Sequence, residues 1–122
     1  MPVTIKRAYE KPGAGDGIRI LVDGLWPRGL TKAALKISAW EKAIAPSKGL
    51  RVWYGHDPRK WPEFRRRYRK ELEESPRKEA LDELVRVAGQ GNLTLVFGAR
   101  DAEHSNAAVL AEVIQSELRG SR

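Results

Sequence analysis

Two stretches of this 122-residue chain set charged side chains among glycines directly after apolar runs. They are Asp23-Gly24-Leu25-Trp26-Pro27-Arg28-Gly29 and Gly98-Ala99-Arg100-Asp101. The residue types suit two kinds of chemistry. Guanidinium groups such as Arg28 and Arg100 recognise carboxylates and phosphates through paired N–H donors. A carboxylate beside a histidine can move a proton near neutral pH. Such neighbours occur at His56-Asp57 and at Asp101 with His104. Each has a plainer reading: Asp57 is a good helix cap, and His104 fits an exposed first turn. With two histidines and no cysteine, thiolate sites, disulfides and thiol nucleophiles are excluded and no metal site is expected. An oxygen-rich magnesium site would have only Asp23 and Asp101 to draw on. No Gly-x-Ser-x-Gly or other nucleophile signature occurs, and Thr31, Ser47 and Ser105 have no activating neighbours.

The elements that would position these groups follow from hydrophobic period and from turn residues. Val3–Arg7 alternates apolar and polar, as a strand covered on one face does. Lys11–Gly17 is a turn rich in glycine and proline. Ile18–Asp23 reads as a strand, and consecutive Ile20, Leu21 and Val22 require burial on both faces. Leu93–Gly98 reads the same way. Between these strands the spacing predicts three helices. The first begins at an N-cap on Thr31 and carries Leu35, Ile37, Trp40 and Ile44 up to Pro46. The second starts at Asp57-Pro58 with Trp61, Phe64, Tyr68 and Leu72 on one stripe. The third starts at Ser75-Pro76, with Leu81, Leu84, Val85 and Ala88 inward and Gly89 as its C-cap. Residues 47–56 fit either helix or loop. A last helix, capped by Asp101, turns Leu110, Val113, Ile114 and Leu118 inward. Apolar strands separated by helices pair in parallel. The expectation is therefore an α/β fold, one small layered domain over residues 1–122, with a mostly parallel sheet flanked by helices.

In open parallel sheets, ligands bind beyond the carboxyl ends of the strands. Both glycine-rich stretches fall there. The strand–Gly98–loop–helix order resembles a phosphate cradle, in which amides of a helix N-terminus face an anion; the plain alternative is a turn with a cap. Trp26 can wall such a pocket or plug the sheet from below.

The net charge of +7 is concentrated. Within residues 51–70, Arg51, Arg59, Lys60, Arg65, Arg66, Arg67, Arg69 and Lys70 face only Asp57 and Glu63. A local positive field gathers phosphates, nucleic acid or acidic partners. The plain reading of this block is a solvated helix face matched by nearby glutamates. The apolar runs are too short to span a bilayer, and the first ten residues contain no apolar signal core. A soluble cytoplasmic protein without a membrane partner is expected.

Taken together, DGLWPRGLTK (23–32), APS (45–47), LRVWYGHDPRKWPEF (50–64), RY (67–68) with EL (71–72), TLVFGARD (94–101) and AVLAEVI (108–114) are similar to the YeaO-like branch of the family catalogued as domain of unknown function 488. The resemblance runs over nearly the whole chain and implies the fold without implying an established activity. That family usually reads DRLWPRG, whereas this chain has Gly24 at the second position. Longer relatives carry a cysteine-containing loop at the last strand end, and no cysteine is present here to carry that chemistry. The polar positions that match are Asp23, Arg28, Lys32, Ser47, Arg51, His56, Asp57, Arg100, Asp101 and Asn106.

That set suits an anionic ligand. The expected function is binding, and in a further reading processing, of a phosphorylated or other anionic small molecule at the strand ends. Arg28, Lys32, Arg51, Arg100 and Asn106 are the candidate binding residues, and Asp23, His56 and Asp101 the candidate acid–base groups. The alternative is a nucleic-acid-associated protein that grips phosphate backbone through residues 51–70 without catalysis; an acidic protein partner docked on the same helix is a third reading. The residues assign no cofactor and no oligomeric state.

Overall fold

The computed structural model of the protein describes residues 3–120. The elements run β1 (Val3–Arg7), β2 (Ile18–Leu21), α1 (Lys32–Leu35), β3 (Ala39–Trp40), α2 (Lys48–Tyr54), α3 (Trp61–Glu71), α4 (Arg77–Gln90), β4 (Leu93–Phe97) and α5 (Asn106–Gly120). The strands form one parallel sheet in the order β1-β4-β2-β3. β4 is central, with Val3 opposite Leu93 on one side and Ile18 opposite Leu93 on the other. The class is α/β, as the apolar strands required.

Side chains alternate across a strand, so each apolar strand feeds two layers. Ile20, Val22, Leu93, Leu95 and Phe97 point into the larger layer, where α5 packs on β1 and β4 and receives α3 and α4. Leu21 and Val96 point the other way, onto Leu35, Ala8, Trp26, Leu30 and Ile37. The stripe of α3 is buried at Phe64, Tyr68 and Leu72. The Tyr68 hydroxyl, fully enclosed, donates to the Ile44 carbonyl at 2.6 Å.

The helix expected over 31–45 is much shorter. Thr31 does cap it, accepting from Ala34 N at 3.0 Å, but α1 ends at Leu35. Lys36 turns left-handed at φ 51°, and Ser38 and Glu41 then donate to the carbonyls of Arg19 and Leu21. The segment becomes the edge strand β3. The reason lies in the two layers. Leu35 and Ile37 belong to the smaller one and Ile44 to the larger, and a single helix on one face of the sheet cannot reach both.

Other boundaries shift for local reasons. Residues 47–56, which fitted either state, carry α2, capped by Ser47 accepting from Leu50 N at 3.2 Å. Asp57 caps the 3-10 turn Pro58–Lys60 that leads into α3. The Ser75 hydroxyl bonds Glu79, leaving Pro76 at the N-cap of α4. That helix passes through Gly89 to Gln90, with Gly91 as its C-cap. Asp101 does not cap α5; the Ser105 hydroxyl takes that role, accepting from Ala108 N at 3.2 Å.

At the amino ends of the strands lies a closed polar cluster. Asp16 accepts from Gly13 N at 3.0 Å, Lys6 Nζ at 2.9 Å and Arg19 Nη1 at 2.6 Å. Arg19, buried within β2, also donates through Nε and Nη2 to the Leu35 carbonyl, which ends α1. Gly17 makes this packing possible. Its φ is +67°, and a Cβ there would sit 2.4 Å from the Asn92 carbonyl oxygen that receives the Ile18 N–H.

Two outcomes follow from this end of the sheet. Gly17→Ala should destabilise the protein by more than about 2 kcal/mol in chemical denaturation, through both the positive φ and the overlap. The Gly13 amide, Lys6 and Arg19 hold Asp16 down at about 2, against an ordinary 3.8. A carboxyl lowered on folding contributes stability that is intact above about pH 4 and is lost as pH falls through about 2. Melting midpoints measured over that window should fall in the parent and fall less steeply in Asp16→Asn.

Candidate functional site

The carboxyl ends of β2 and β4 lie side by side, and Asp23 joins them. Its Oδ2 accepts from the Gly98 N–H at 2.8 Å and its Oδ1 from Asn106 Nδ2 at 3.1 Å. Asn106 also donates to the Val22 carbonyl at 3.2 Å, so the first residue of α5 is pinned to the end of β2. The Trp40 indole donates to the Asp23 carbonyl at 2.7 Å. Burial pushes the Asp23 carboxyl above its ordinary value; the Gly98 and Asn106 hydrogen bonds and the charges of Arg51 and His56 oppose that rise.

Beside Asp23 opens a cleft of about 270 Å³. Gly24, Leu25 and Pro46 form one wall, Tyr54 and Phe64 an aromatic wall, and Gly98, Ala99, Ser105 and Asn106 the rim of β4 and α5. Arg51, His56 and His104 bring positive or titratable groups to it. Arg51 rises from α2 and lies against the Asp23–Gly29 turn. A Cβ at Gly24 would be 3.3 Å from its Nη1, so the glycine in that turn leaves room for the guanidinium. Its Nε is buried with no hydrogen-bond partner.

The remaining polar groups are held by the protein. Tyr54 donates to the His104 carbonyl at 2.8 Å and stacks on Phe64 with ring centres 4.1 Å apart. Burial, then the negative charges of Asp101 and Asp57, push its hydroxyl up to about 12. His104 pairs through Nδ1 with Asp101 Oδ2 at 2.7 Å and sets its ring edge-on to Trp61 at 5.2 Å. The Ser105 hydroxyl donates to the Ala102 carbonyl at 2.8 Å while capping α5. His56 is exposed, in a left-handed conformation at φ 56°.

Of the residues proposed from the sequence, the structure gathers Asp23, Arg51, His56 and Asn106 at one cleft. Arg28, Lys32 and Arg100 are exposed and absent from its lining. Asp101 reaches it only through His104. Trp26 lies under the sheet, with its indole donating to the Leu30 carbonyl at 2.7 Å and its ring edge-on to Trp40. Tyr54 and Ser105 were not singled out as site residues. Tyr54 sits in a segment whose residues fit either helix or loop, and Asp101 offers the sequence a second cap candidate ahead of Ser105. Among the described residues, no three His, Cys, Asp or Glu side chains converge as metal ligands. None of the described helices is long and apolar enough to cross a membrane.

The fold and the cleft define a small parallel α/β protein with a polar site at the carboxyl ends of its strands. The chain belongs to the family described as the inactive DUF488-N3 subclade, whose model matches residues 2–122. It is 42% identical to an uncharacterised protein of Mycobacterium tuberculosis (strain H37Rv), over 92% of each chain. The uncharacterised protein YeaO of Escherichia coli K12 is 35% identical over 95% of this chain and 99% of its own. No solved structure shows a significant match.

The carboxylate at position 23 is an acceptor placed between two donors. Asp23→Ala should lower unfolding free energy by about 2–3 kcal/mol, the range for losing hydrogen bonds to a charged group. Asn offers a single acceptor oxygen and can satisfy only one of the two donors, so Asp23→Asn should recover only part of that loss. Denaturant midpoints of the three proteins measure this.

Proposed function

We propose that the cleft binds a small anionic molecule and holds it without turning it over. Arg51 supports this reading most directly. A guanidinium has five donors and no acceptor, and here it lines a cleft, partly withdrawn from water, with its Nε unpartnered. Removing such a group from water without compensation costs stability, and an anion in the cleft would supply the missing acceptor. The family description, an inactive subclade, fits binding better than catalysis. So does the commitment of the Ser105 hydroxyl and the Tyr54 proton to structural hydrogen bonds.

The nucleic-acid reading draws less support. Most cations of residues 51–70 have partners within the chain. Arg65 pairs with Glu112, Arg66 and Arg67 with Glu63, and Arg59 with Asp57. Arg67 and Lys60 also lie over the Trp53 ring, at 4.3 and 5.1 Å. A phosphate backbone would have to compete for each of these.

The test is a thermal-shift titration with phosphate, sulfate, carboxylates and sugar phosphates, and with a short oligonucleotide, at low and moderate salt. A ligand at a hundred times its dissociation constant adds about 2.7 kcal/mol, which is several degrees for a domain of this size. At least one small anion should raise the midpoint of the parent and leave Arg51→Gln unmoved. A response to the oligonucleotide alone, lost with salt and retained in Arg51→Gln, would overturn the proposal in favour of the basic segment.

A further inference from the structure

We propose that the ligand of this cleft is an amino-acid-sized zwitterion, its anionic end on Arg51 and its cationic end on Asp23. The inference rests on the reading above that Arg51 holds an anionic group, and it adds a cationic group on the same ligand. Asp23 and Arg51 line the same cleft and carry opposite charges, yet they form neither a hydrogen bond nor an ion pair with each other. Arg51 affects Asp23 only through its field. Opposite charges in a partly desolvated site gain strongly from closing on each other. Elsewhere in this chain they do close: Arg19 meets Asp16 at 2.6 Å and Arg65 meets Glu112 at 2.7 Å. The pair at the cleft is instead held apart by the elements that carry it. Asp23 is tied down by Gly98 and Asn106, and Arg51 is fixed to α2.

Each group retains bonding capacity. Both Asp23 oxygens accept one hydrogen bond, where a carboxylate oxygen has two lone-pair sites, and Arg51 has no acceptor at all. A simple anion would satisfy Arg51 and leave Asp23 without a partner on the ligand. A simple cation would do the reverse. A molecule with both charges, oriented against the two protein groups, satisfies both. The rest of the cleft agrees with this class. Its volume of about 270 Å³ falls just below the usual range for drug-sized ligands, which suits one amino acid. Tyr54, Phe64 and Leu25 offer an apolar surface for a side chain. A hydrophobic amino acid therefore matches the cleft in charge, size and polarity.

The experiment compares whole ligands with their halves on the intact protein. L-Leucine and L-phenylalanine are titrated by calorimetry and thermal shift beside 4-methylpentanoate and 3-phenylpropionate, which lack the ammonium group. Isoamylamine and phenethylamine, which lack the carboxylate, complete each set. At least one amino acid should bind tenfold or more tighter than either of its halves. Arg51→Gln should reduce it to the level of the amine, and Arg51→Lys should restore part of the difference. If a carboxylate or phosphate binds through Arg51 as tightly as the amino acids, the zwitterion is wrong and the anion reading survives. If none of these probes and no simple anion shifts the folded parent, both readings fall. The comparison within the parent decides the matter even should a variant fold poorly.

Discussion

The structure turns on one carboxylate that stands where two strand ends and a helix start converge. A buried carboxylate accepts hydrogen bonds and donates none, so it draws donors to itself. Asp23 draws the amide that ends β4 and the side chain that begins α5. Glycine at 98 eases that approach, because a Cβ there would lie 3.2 Å from Asp23 Oδ2 and press on the carboxylate. Trp40 anchors the same residue through its carbonyl and so carries the edge strand into the arrangement. The carboxyl edge of the sheet, and with it the shape of the cleft, follows from these contacts.

The two ends of the sheet treat charge differently. At the amino edge, Asp16 meets Lys6, Arg19 and the Gly13 amide, and Arg19 gives its other nitrogens to the Leu35 carbonyl. That cluster closes on itself and holds its carboxyl low. At the carboxyl edge, Asp23 is held high by burial and Arg51 stands beside it without a partner. The same chain can therefore saturate buried charges, and at the cleft it does not. This contrast, more than the presence of a cavity, gives the cleft its functional weight.

Much of the fold could be read from periodicity, because a strand buried on both faces leaves a plain mark. Ile20–Val22 and Leu93–Phe97 bear it. Period alone does not say which layer an apolar residue enters. Leu35, Ile37, Trp40 and Ile44 mimic a helix while serving different faces of the sheet and an exposed edge. Adjacency along the chain also misled for charge. Arg28 and Arg100 sit in the two strand-end turns yet do not line the cleft, whereas Arg51 arrives from a segment whose pattern fits either helix or loop. Within residues 51–70 the local carboxylates Asp57 and Glu63 take Arg59, Arg66 and Arg67 as the plain reading expects, whereas Glu112, the partner of Arg65, lies 47 positions away.

The distribution of reactive groups bears on what such a site can do. Proton transfer needs a group free to change its protonation state in contact with a ligand, with its pKa near the working pH. Tyr54 is raised to about 12 and bonded to a backbone carbonyl. The Ser105 hydroxyl is divided between a helix cap and the Ala102 carbonyl. Asp101 has the ring nitrogen of His104 as its partner. Among the described lining groups, the guanidinium of Arg51 is always charged and has no acceptor at its buried Nε, and the His56 ring meets only the Tyr54 ring, 6.3 Å away. The hydroxyl protons of the cleft are thus tied to backbone carbonyls, while the permanent charge of Arg51 is left free.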